Sequence, residues 1–497
     1  MKHNLLANYI SQIYTALIGI LILPLYVQYM GAEAYGLIGF FTMMQSIFML
    51  LDLGLTPTIS RETARYQAKA ILPLEFKQLY KVLHLLFIAI AVVGGGVLIT
   101  LSSYIADHWL TIEELNVSDV IFSIQVMSIS IALRWVSGLY KGIITGSEKI
   151  AWISYFNIII ATLRFIAVFV VMYIWGYTIK VYFIYQLIIA IIEFIGMRYK
   201  AVTTLSLPIQ SIKLSLAPIK PILKFTLTIA FTSAVWVLIT QSDKFILSGI
   251  LPLDQYGYFI LAVSLASGLT IISGPISTVI MPRMAHLHAQ NNNKGLISTY
   301  EKATQMITII IGSAAITLIV MAKETLIAWT NNPVIIEESS SILQLYTFGN
   351  ALLAWNAFPY YWQYAHGNLK YHLLSNIFTV IILIPSIIIF AHAYGAIGTG
   401  FVWTILNIVT LLFWTPFVHK KIGYDYHFKW FFHYILKTII PTAIIVYLIS
   451  LLLPLSLNRW VNLFYVTLIS IVTLIITFSL SNFRSEAIQY AKLKFKH

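Results

Sequence analysis

The sequence predicts an all-α integral membrane protein with fourteen transmembrane helices, and three observations support this fold class. First, 59% of the 497 residues are hydrophobic and only 10% are charged, whereas a soluble domain carries roughly 25% charged residues. Second, the apolar residues form successive stretches that are long enough to cross a bilayer. Third, the basic residues lie between these stretches and are concentrated in alternate loops. Such a chain lacks the polar residues needed to cover a water-exposed surface.

Each predicted helix is a stretch that meets the length requirement of a bilayer core, about 20 mostly apolar residues. The fourteen spans lie at 5–28, 36–58, 82–106, 119–142, 151–175, 179–197, 222–250, 256–281, 303–322, 341–365, 373–393, 395–418, 430–453 and 461–481.

The distribution of basic residues predicts the orientation of these spans. The N-terminus, every second loop and the C-terminal tail together hold 25 of the 31 Lys and Arg residues. The other loops hold only Lys180, Lys323 and Arg459. Because basic loops stay on the cytoplasmic side of a membrane, we predict that both termini face the cytoplasm. The net charge of +13 is therefore a topology signal, and we expect no nucleic-acid partner.

Several classes of site are excluded or disfavoured by what the sequence lacks. It contains no Cys, which excludes a thiol nucleophile and a cysteine-ligated metal. No GxxxxGK[ST] phosphate-binding loop is present, and the short loops leave no room for a soluble domain. We therefore expect no enzyme activity, no catalytic residue, no metal site and no cofactor.

An internal repeat relates the two halves of the chain at an offset of 221 residues. Tyr35-Gly36 begins the second span, and Tyr256-Gly257 begins the eighth. The same offset relates Ala64 to Ala285, Ala68 to Ala289, Lys81 to Lys302, Gly146 to Gly367, Lys149 to Lys370 and Ser154 to Ser375. Since the repeat unit contains an even number of spans, both copies insert in the same orientation. This predicts two parallel six-helix lobes with pseudo-two-fold symmetry about the membrane normal.

The repeat also predicts the domain organisation. We expect an N-terminal lobe at 1–200, a cytoplasmic inter-lobe linker at 201–221, and a C-terminal lobe at 222–420. Two extra transmembrane helices and a basic cytoplasmic tail follow at 421–497. Transporters with parallel repeats bind substrate between the lobes and rock one lobe against the other. The sequence therefore predicts alternating access.

The N-terminal sequence resembles a known family. The segments NYISQIYTALIGILILPLYVQYMGAEAYGLIGFF and LLDLGLTPTISRETA are similar to bacterial polysaccharide-biosynthesis flippases of the O-antigen transporter type. These proteins belong to the multidrug/oligosaccharidyl-lipid/polysaccharide exporter superfamily. The resemblance is strongest in this N-terminal part of the chain.

The resemblance implies that the protein moves undecaprenyl-diphosphate-linked oligosaccharides, such as O-antigen or other lipopolysaccharide repeat units, to the outer leaflet of the bacterial inner membrane. The implied partners are this lipid-linked substrate, membrane lipids, a proton or sodium coupling ion, and a polysaccharide polymerase or other assembly proteins.

Two arginines lie near the middle of predicted spans, Arg134 in the fourth and Arg164 in the fifth. An arginine at the centre of a membrane helix costs about 2.5–3.5 kcal/mol on insertion scales, and neither arginine has an acid one turn away on its own helix. They therefore face either a hydrated cavity, where a guanidinium fork suits diphosphate oxygens, or a structural partner such as Glu193 or Asp52.

Asp243 and Lys244 form an adjacent acid–base pair in the seventh span. Neighbours in sequence do not face each other on a helix, so we expect each side chain to find its own environment. Lys244 then lines the outer half of a substrate cavity, or both side chains extend to the membrane surface.

The tenth span carries an unusual density of aromatic and amide side chains. Aromatic faces stack against sugar rings and amides bind sugar hydroxyl groups, although Tyr and Trp also form the ordinary aromatic belt at a membrane interface. Pro359 is expected to kink this helix. The predicted sugar contacts are Trp355, Asn356, Tyr360, Gln363 and Tyr364.

The second span ends in a group of residues that suggests a gate. Asp52 lies in its inner third and precedes Pro57 and Arg61. Asp52 is either a partner for a cavity arginine or a group that binds the coupling ion, and Pro57 lets the helix end bend. The candidate titrating groups are Asp52, Glu193 and Asp243.

Two other functions are weighed against the flippase. A multidrug or cation antiporter of the same superfamily needs buried acids for cationic drugs, whereas Arg134, Arg164 and Lys244 favour an anionic substrate. A membrane glycosyltransferase or polymerase needs a large outer loop or an interfacial carboxylate cluster, and the short outer loops of this sequence supply neither.

Overall fold

The protein is described by a computed structural model that covers residues 2–205, 223–424, 427–454 and 456–484. These described residues form helices and connecting turns, together with one isolated bridge between Thr111 and Pro252. Contacts between Cα atoms divide the chain into two compact units, 1–257 and 258–497. The division into two six-helix lobes, a linker at 201–221 and a C-terminal appendage remains a prediction.

The first unit contains eleven helices and the start of a twelfth. Two of these helices begin after a residue whose side chain accepts from a free backbone N–H group: Asn116 accepts from the N–H of Ser118 before α7, and Thr178 accepts from the N–H of Val181 before α10. The helices are α1 Lys2–Leu21, α2 Leu23–Met30, α3 Ala32–Phe48, α4 Leu55–Gln67, α5 Pro73–Thr100, α6 Ser102–Tyr104, α7 Val117–Gly146, α8 Ile150–Thr162, α9 Val168–Trp175, α10 Ile179–Thr204, α11 Leu223–Ser248 and α12 Leu253–Ala289, which continues into the second unit.

The second unit continues with shorter helices between long ones. Two long helices, α13 and α15, are mostly buried inside this unit. The helices are α13 Asn293–Val320, α14 Ala322–Thr330, α15 Pro333–Asn356, α16 Phe358–Ala365, α17 Lys370–Val409, α18 Thr415–Lys421, α19 His427–Lys429, α20 Lys437–Ser450 and α21 Arg459–Leu480.

Eleven stretches of the described helices are long and apolar enough to cross a membrane. One of them, Lys370–Lys421, is 52 residues long and contains Gly395 in a non-helical conformation. It therefore takes in two predicted spans, 373–393 and 395–418. The predicted spans 222–250 and 341–365 are not among the eleven, although helices occupy the described residues of both.

Several predicted spans are interrupted in the structure, and two of these breaks involve predicted functional residues. The second span, 36–58, ends as an α-helix at Phe48 and restarts at Leu55 after a 3₁₀ turn. Leu53 and Gly54 both have positive φ there, which breaks the helical hydrogen-bond pattern. The tenth span, 341–365, breaks at Ala357, and Pro359 lies in the first turn of α16, where its missing N–H costs no hydrogen bond.

A pair of glycines at the predicted offset makes a reciprocal contact. A Cβ atom on Gly36 would overlap the carbonyl oxygen of Leu253, and a Cβ atom on Gly257 would lie 2.5 Å from the carbonyl oxygen of Ala32. Both glycines and both carbonyls are related by the offset of 221. The starts of α3 and α12 therefore contact each other reciprocally, as expected for elements related by a two-fold axis.

The start of α3 is also fixed by a buried carboxylate. Glu33 is 4% exposed and accepts hydrogen bonds from the backbone N–H groups of Glu113, Glu114 and Leu115 at 2.7–2.8 Å. Three donors compensate the desolvated charge. This contact ties α3 to the segment before α7.

Candidate functional site

Arg134, Arg164 and Glu193 come together inside the first unit; we call them the arginine–glutamate cluster. Glu193 of α10 lies 2.8 Å from Nη2 of Arg164 and 3.8 Å from Nε of Arg134, both distances being to its Oε2 atom. Arg134 belongs to α7, and Arg164 lies between α8 and α9. The acid that the two mid-span arginines require is therefore supplied by a third helix.

Arg134 is held more tightly than Arg164. Its Nη1 donates to Oε1 of Gln45 at 3.2 Å, and its Nη2 donates to Oε1 of Gln186 at 3.1 Å. Its guanidinium carbon lies 5.4 Å from the centre of the Phe41 ring, within range of a cation–π interaction. These neighbours come from α3 and α10, so packing of three helices fixes the position of Arg134.

Arg164 lies in a local irregularity of its helix. Residues Leu163–Ala167 form a π-helical segment between α8 and α9, and such segments leave backbone carbonyl groups without their usual partners. The hydroxyl of Tyr185 donates to the carbonyl of Leu163, and the amide of Gln186 donates to the carbonyl of Arg164. The irregular turn is thus stabilised by α10, the helix that also carries Glu193.

The cluster carries more positive than negative charge. The two guanidinium groups face one carboxylate, and the Nε–H of each arginine has no hydrogen-bond acceptor. The Arg134 side chain is 5% exposed, whereas Arg164 and Glu193 are 23% and 18% exposed. An anion that reached Arg164 would therefore contact a guanidinium group whose N–H donors are not all hydrogen-bonded. The positive charge of Arg134, which shares the Glu193 carboxylate with Arg164, would also attract the anion.

We expected Asp243 and Lys244 to occupy separate environments, but in the structure the two side chains contact each other. The Lys244 ammonium lies 3.3 Å from Oδ1 of Asp243 and donates to the carbonyl of Thr240 at 2.8 Å. The long lysine stem folds back along α11, which overcomes the divergent directions of adjacent side chains. Lys244 is therefore paired on its own helix.

Within the described part of the chain Asp52 forms no ion pair with Arg134 or Arg164, both of which are paired with Glu193 instead. The Asp52 carboxylate accepts from the backbone N–H of Thr56 at 3.2 Å and from the Thr56 hydroxyl at 2.5 Å. Asp52 thus accepts from an N–H group in the first turn of α4, whose N-cap position is Gly54. Pro57 lies in the first turn of that helix, where it is tolerated.

The predicted gate also contains a small ion network. Arg61 and Arg65 are about half exposed and lie 3.8 Å and 2.8 Å from the carboxylate of Glu62, which is 2% exposed. The carboxylate is thereby held between two cations at the surface of α4.

The predicted sugar contacts divide into buried and accessible residues. Trp355 donates to Thr308 at 3.2 Å and Gln363 accepts from the N–H of His372 at 2.9 Å; both side chains are buried in the second unit. Their hydrogen bonds hold helices together.

Three of these residues are less enclosed. Asn356 donates to the carbonyl of Asn407 at 3.0 Å and is partly buried. Tyr360 packs on His372 with ring centres 4.4 Å apart, and Tyr364 is 43% exposed. Tyr364 is thus the most accessible of the predicted sugar contacts.

Sequence reasoning missed Gln186, which contacts both arginines of the cluster. The available signal was its position seven residues, or two helical turns, before Glu193, which places both side chains on one face of α10. Gln45 links α3 to α7 through Arg134.

Comparisons with known proteins give a family and a fold. A family model described as polysaccharide biosynthesis protein matches residues 1–288. No match was found among curated protein sequences.

Solved structures similar to the chain include three transporters. An inward-facing multidrug resistance MATE family transporter of the MOP superfamily matches with a TM-score of 0.71 and 14% identity, covering 84% of this chain and 98% of its own. The lipid II flippase MurJ in an inward closed conformation matches with a TM-score of 0.68 and 16% identity, covering 98% and 100%.

The third is a MOP superfamily transporter from Pyrococcus furiosus, described by a reversed polarity of its binding pocket. It matches with a TM-score of 0.57 and 16% identity, covering 84% of this chain and 95% of its own. The chain thus has the MATE/MurJ-like fold of a multi-pass membrane protein.

Proposed function

The chain belongs to the polysaccharide biosynthesis protein family of MOP superfamily membrane transporters, and from this premise we propose that it is a flippase for an undecaprenyl-diphosphate-linked oligosaccharide. The substrate is an O-antigen or other surface-polysaccharide repeat unit. The protein moves it by alternating access from the cytoplasmic to the outer leaflet of the bacterial inner membrane, with both termini in the cytoplasm.

The observation that carries this proposal is the excess positive charge of the arginine–glutamate cluster. A buried cation without a full counter-charge is costly in a membrane, so its presence favours an anionic substrate. A diphosphate offers several oxygens that can accept from the guanidinium of Arg164, whose side chain is 23% exposed. Glu193 holds the two guanidinium groups in the absence of substrate, and the diphosphate competes with it for Arg164, the more exposed of the two.

The sugar part of the substrate requires a different surface. Tyr360 and Tyr364 of α16 offer aromatic faces with ring centres 6.3 Å apart, and Asn356 at the end of α15 is a partly buried amide that is bonded to Asn407 and Thr415. We assign sugar contact to these three residues. Trp355 and Gln363 support them from the core of the second unit, because both side chains are buried there and bonded to other helices.

The transport mechanism needs an element that bends. The break between α3 and α4, with Leu53 and Gly54 at positive φ, supports a gate in which Asp52 is hydrogen-bonded to the first turn of the moving helix and Arg61 lies at its surface. The finer architecture of fourteen helices in two six-helix lobes is supported by the reciprocal contact of Gly36 and Gly257. The 98% coverage of this chain in the MurJ match supports the inclusion of the two C-terminal helices in the fold.

A deletion strain tests this function. We expect loss of the gene to trap lipid-linked repeat units on the cytoplasmic leaflet and to reduce the surface glycan, and we expect a plasmid copy to restore both. The measurement is the accessibility of the lipid-linked sugar to an externally added glycosidase or lectin in spheroplasts. A deletion strain with normal surface glycan and increased drug sensitivity would contradict the proposal and favour a drug exporter.

A further inference from the structure

A polar cavity of about 220 Å³ lies in the second unit, whereas the arginine–glutamate cluster belongs to the first. One face of α13 lines it with Ser298, Glu301, Lys302 and Gln305, which recur at the spacing of a single helical stripe. Tyr434 completes one side of the cavity. The cavity is several times larger than the roughly 30 Å³ that one water occupies in the liquid, so it has room for a small polar group.

The cavity lies at the ends of the helices that form it. The lining stripe is in the first half of α13, Tyr434 is in the π-helical segment Trp430–Leu436 just before α20, and Asn482 follows the end of α21. In a multi-pass membrane protein, the ends of the spans lie at the level of the lipid head groups. The cavity is therefore positioned to meet the polar part of a membrane lipid.

Two oxygen atoms of the cavity wall accept no hydrogen bond. Gln305 is 2% exposed, and its Oε1 has no partner while its amide nitrogen donates to Thr438 at 3.4 Å. Glu301 accepts from the Tyr434 hydroxyl at 2.8 Å through Oε2, but its Oε1 has no hydrogen bond. A buried acceptor without a donor is unfavourable by about 1–3 kcal/mol, so Oε1 of Gln305 favours a ligand that brings N–H groups. Oε1 of Glu301 is ion-paired with Lys429 at 3.6 Å but has no hydrogen bond, so it too can accept from such a ligand.

The cavity also carries positive charge, which restricts the ligand. Lys302 lines it, and the ammonium of Lys429 lies 3.6 Å from Oε1 of Glu301. The Glu301 carboxylate is thus already paired with one ammonium group, and a second lysine lines the same cavity, an environment that disfavours an isolated metal cation. A ligand with N–H donors at one end and an anionic group at the other can donate to the oxygens of Glu301 and Gln305 and accept from Lys302.

We infer that this cavity binds the phosphoethanolamine head group of an aminophospholipid. The ligand's primary ammonium donates to Glu301 and Gln305, and its phosphate accepts from Lys302 and the hydroxyl of Ser298. The acyl chains remain in the bilayer beside the C-terminal helices. Bound lipid then links α13 to the segment before α20 and stabilises the second unit.

The test is thermal unfolding of the full-length, delipidated protein in detergent with three added phospholipids that have identical acyl chains. Phosphatidylethanolamine has N–H donors, phosphatidylcholine has a methylated nitrogen without them, and phosphatidylglycerol has the phosphate without a cation. We expect phosphatidylethanolamine to raise Tm by about 2 °C or more above the other two lipids. Soluble glycerophosphoethanolamine carries the same head group without acyl chains, so at high concentration it should also raise Tm, but by less than phosphatidylethanolamine does.

Two variants examine the wall atoms separately. Glu301→Gln removes the charge, and Gln305→Met removes the buried unpartnered oxygen at similar volume, so the second variant is expected to fold. Both should lose the phosphatidylethanolamine-specific shift, whereas Glu337→Gln, an exposed acid on α15, should keep it. Equal shifts from all three lipids, or a full shift in both wall variants, would overturn the assignment. The readout is lipid binding, so it is independent of transport.

Discussion

At the scale of single residues, Arg134 and Arg164 share one carboxylate but have different roles. Arg134 is almost fully buried and is bonded to Gln45 and Gln186, which fixes its position. Arg164 is partly exposed and has one strong contact, to Glu193. In the proposed mechanism Arg164 exchanges Glu193 for the diphosphate, while Arg134 supplies a fixed positive potential behind it.

Substitution of Arg164 should separate the contribution of charge from that of geometry. Arg164→Ala removes a charged hydrogen-bond donor worth about 1.5–3 kcal/mol, so we expect transport to fall by roughly 10- to 100-fold. Arg164→Lys keeps the charge but loses the planar fork, so its activity should be intermediate. The measurement is the rate at which lipid-linked oligosaccharide reaches the outer leaflet.

Both variants should fold, because Glu193 still lies near Arg134 when Arg164 is replaced. Arg198→Ala removes an exposed cation from the same helix as Glu193 and is the matched control, for which we expect transport at the wild-type rate. Full activity of both Arg164 variants would remove this residue from the site.

The residue scale also shows where sequence reasoning reached its limit. The composition of the spans was enough to select Arg134, Arg164 and Glu193 as unusual. It did not indicate that Asp52 would bond to Thr56 four residues later, because that contact depends on the positive φ of Leu53. Leu is an uncommon residue in that conformation, so the local sequence gave no sign of it.

At the scale of elements, the close contact between the starts of α3 and α12 is the most constrained feature. Gly36 approaches the backbone of Leu253, and Gly257 approaches that of Ala32. Backbone atoms cannot move aside as a flexible side chain can. A side chain at either glycine therefore has to separate the two helices.

Gly36→Ala should destabilise the protein because its new Cβ overlaps the carbonyl of Leu253. Overpacking of this kind typically costs about 1–3 kcal/mol. Gly96→Ala on α5 is the control, since a Cβ there meets no atom within 4 Å and alanine favours a helix over glycine by roughly 0.5–1 kcal/mol. We expect thermal unfolding in detergent to give a lower Tm for Gly36→Ala and an unchanged or higher Tm for Gly96→Ala. Similar Tm values for the two variants would contradict the close contact.

The ends of a helix could be predicted from the sequence only where the apolar stretch itself ends. The interruptions after Phe48 and at Ala357 fall inside stretches that are long enough to span as one helix. Pro359 marked the second interruption, because proline favours the first turn of a helix. The 3₁₀ turn after Phe48 arises from packing, since Gly54 approaches the backbone of Thr226 on α11.

At the scale of the whole molecule, the all-helical membrane fold and the family could be predicted from the sequence, and the family model and the solved structures confirm both. The offset of 221 was visible in the sequence as scattered identities. The reciprocal contacts of Gly36 and Gly257 lie at positions related by this offset. Contacts that depend on packing between distant segments, such as Glu33 with the backbone of 113–115, left no pattern in the sequence.

The most direct test of the central claim is a flipping measurement in proteoliposomes. The purified protein is reconstituted with an undecaprenyl-diphosphate-linked oligosaccharide, and the fraction of sugar accessible to an external glycosidase is followed with time. We expect wild-type protein to expose sugar from the inner leaflet much faster than protein-free vesicles do, and Arg164→Ala to be slower by roughly 10- to 100-fold. Wild-type vesicles that expose sugar no faster than protein-free vesicles would contradict the account.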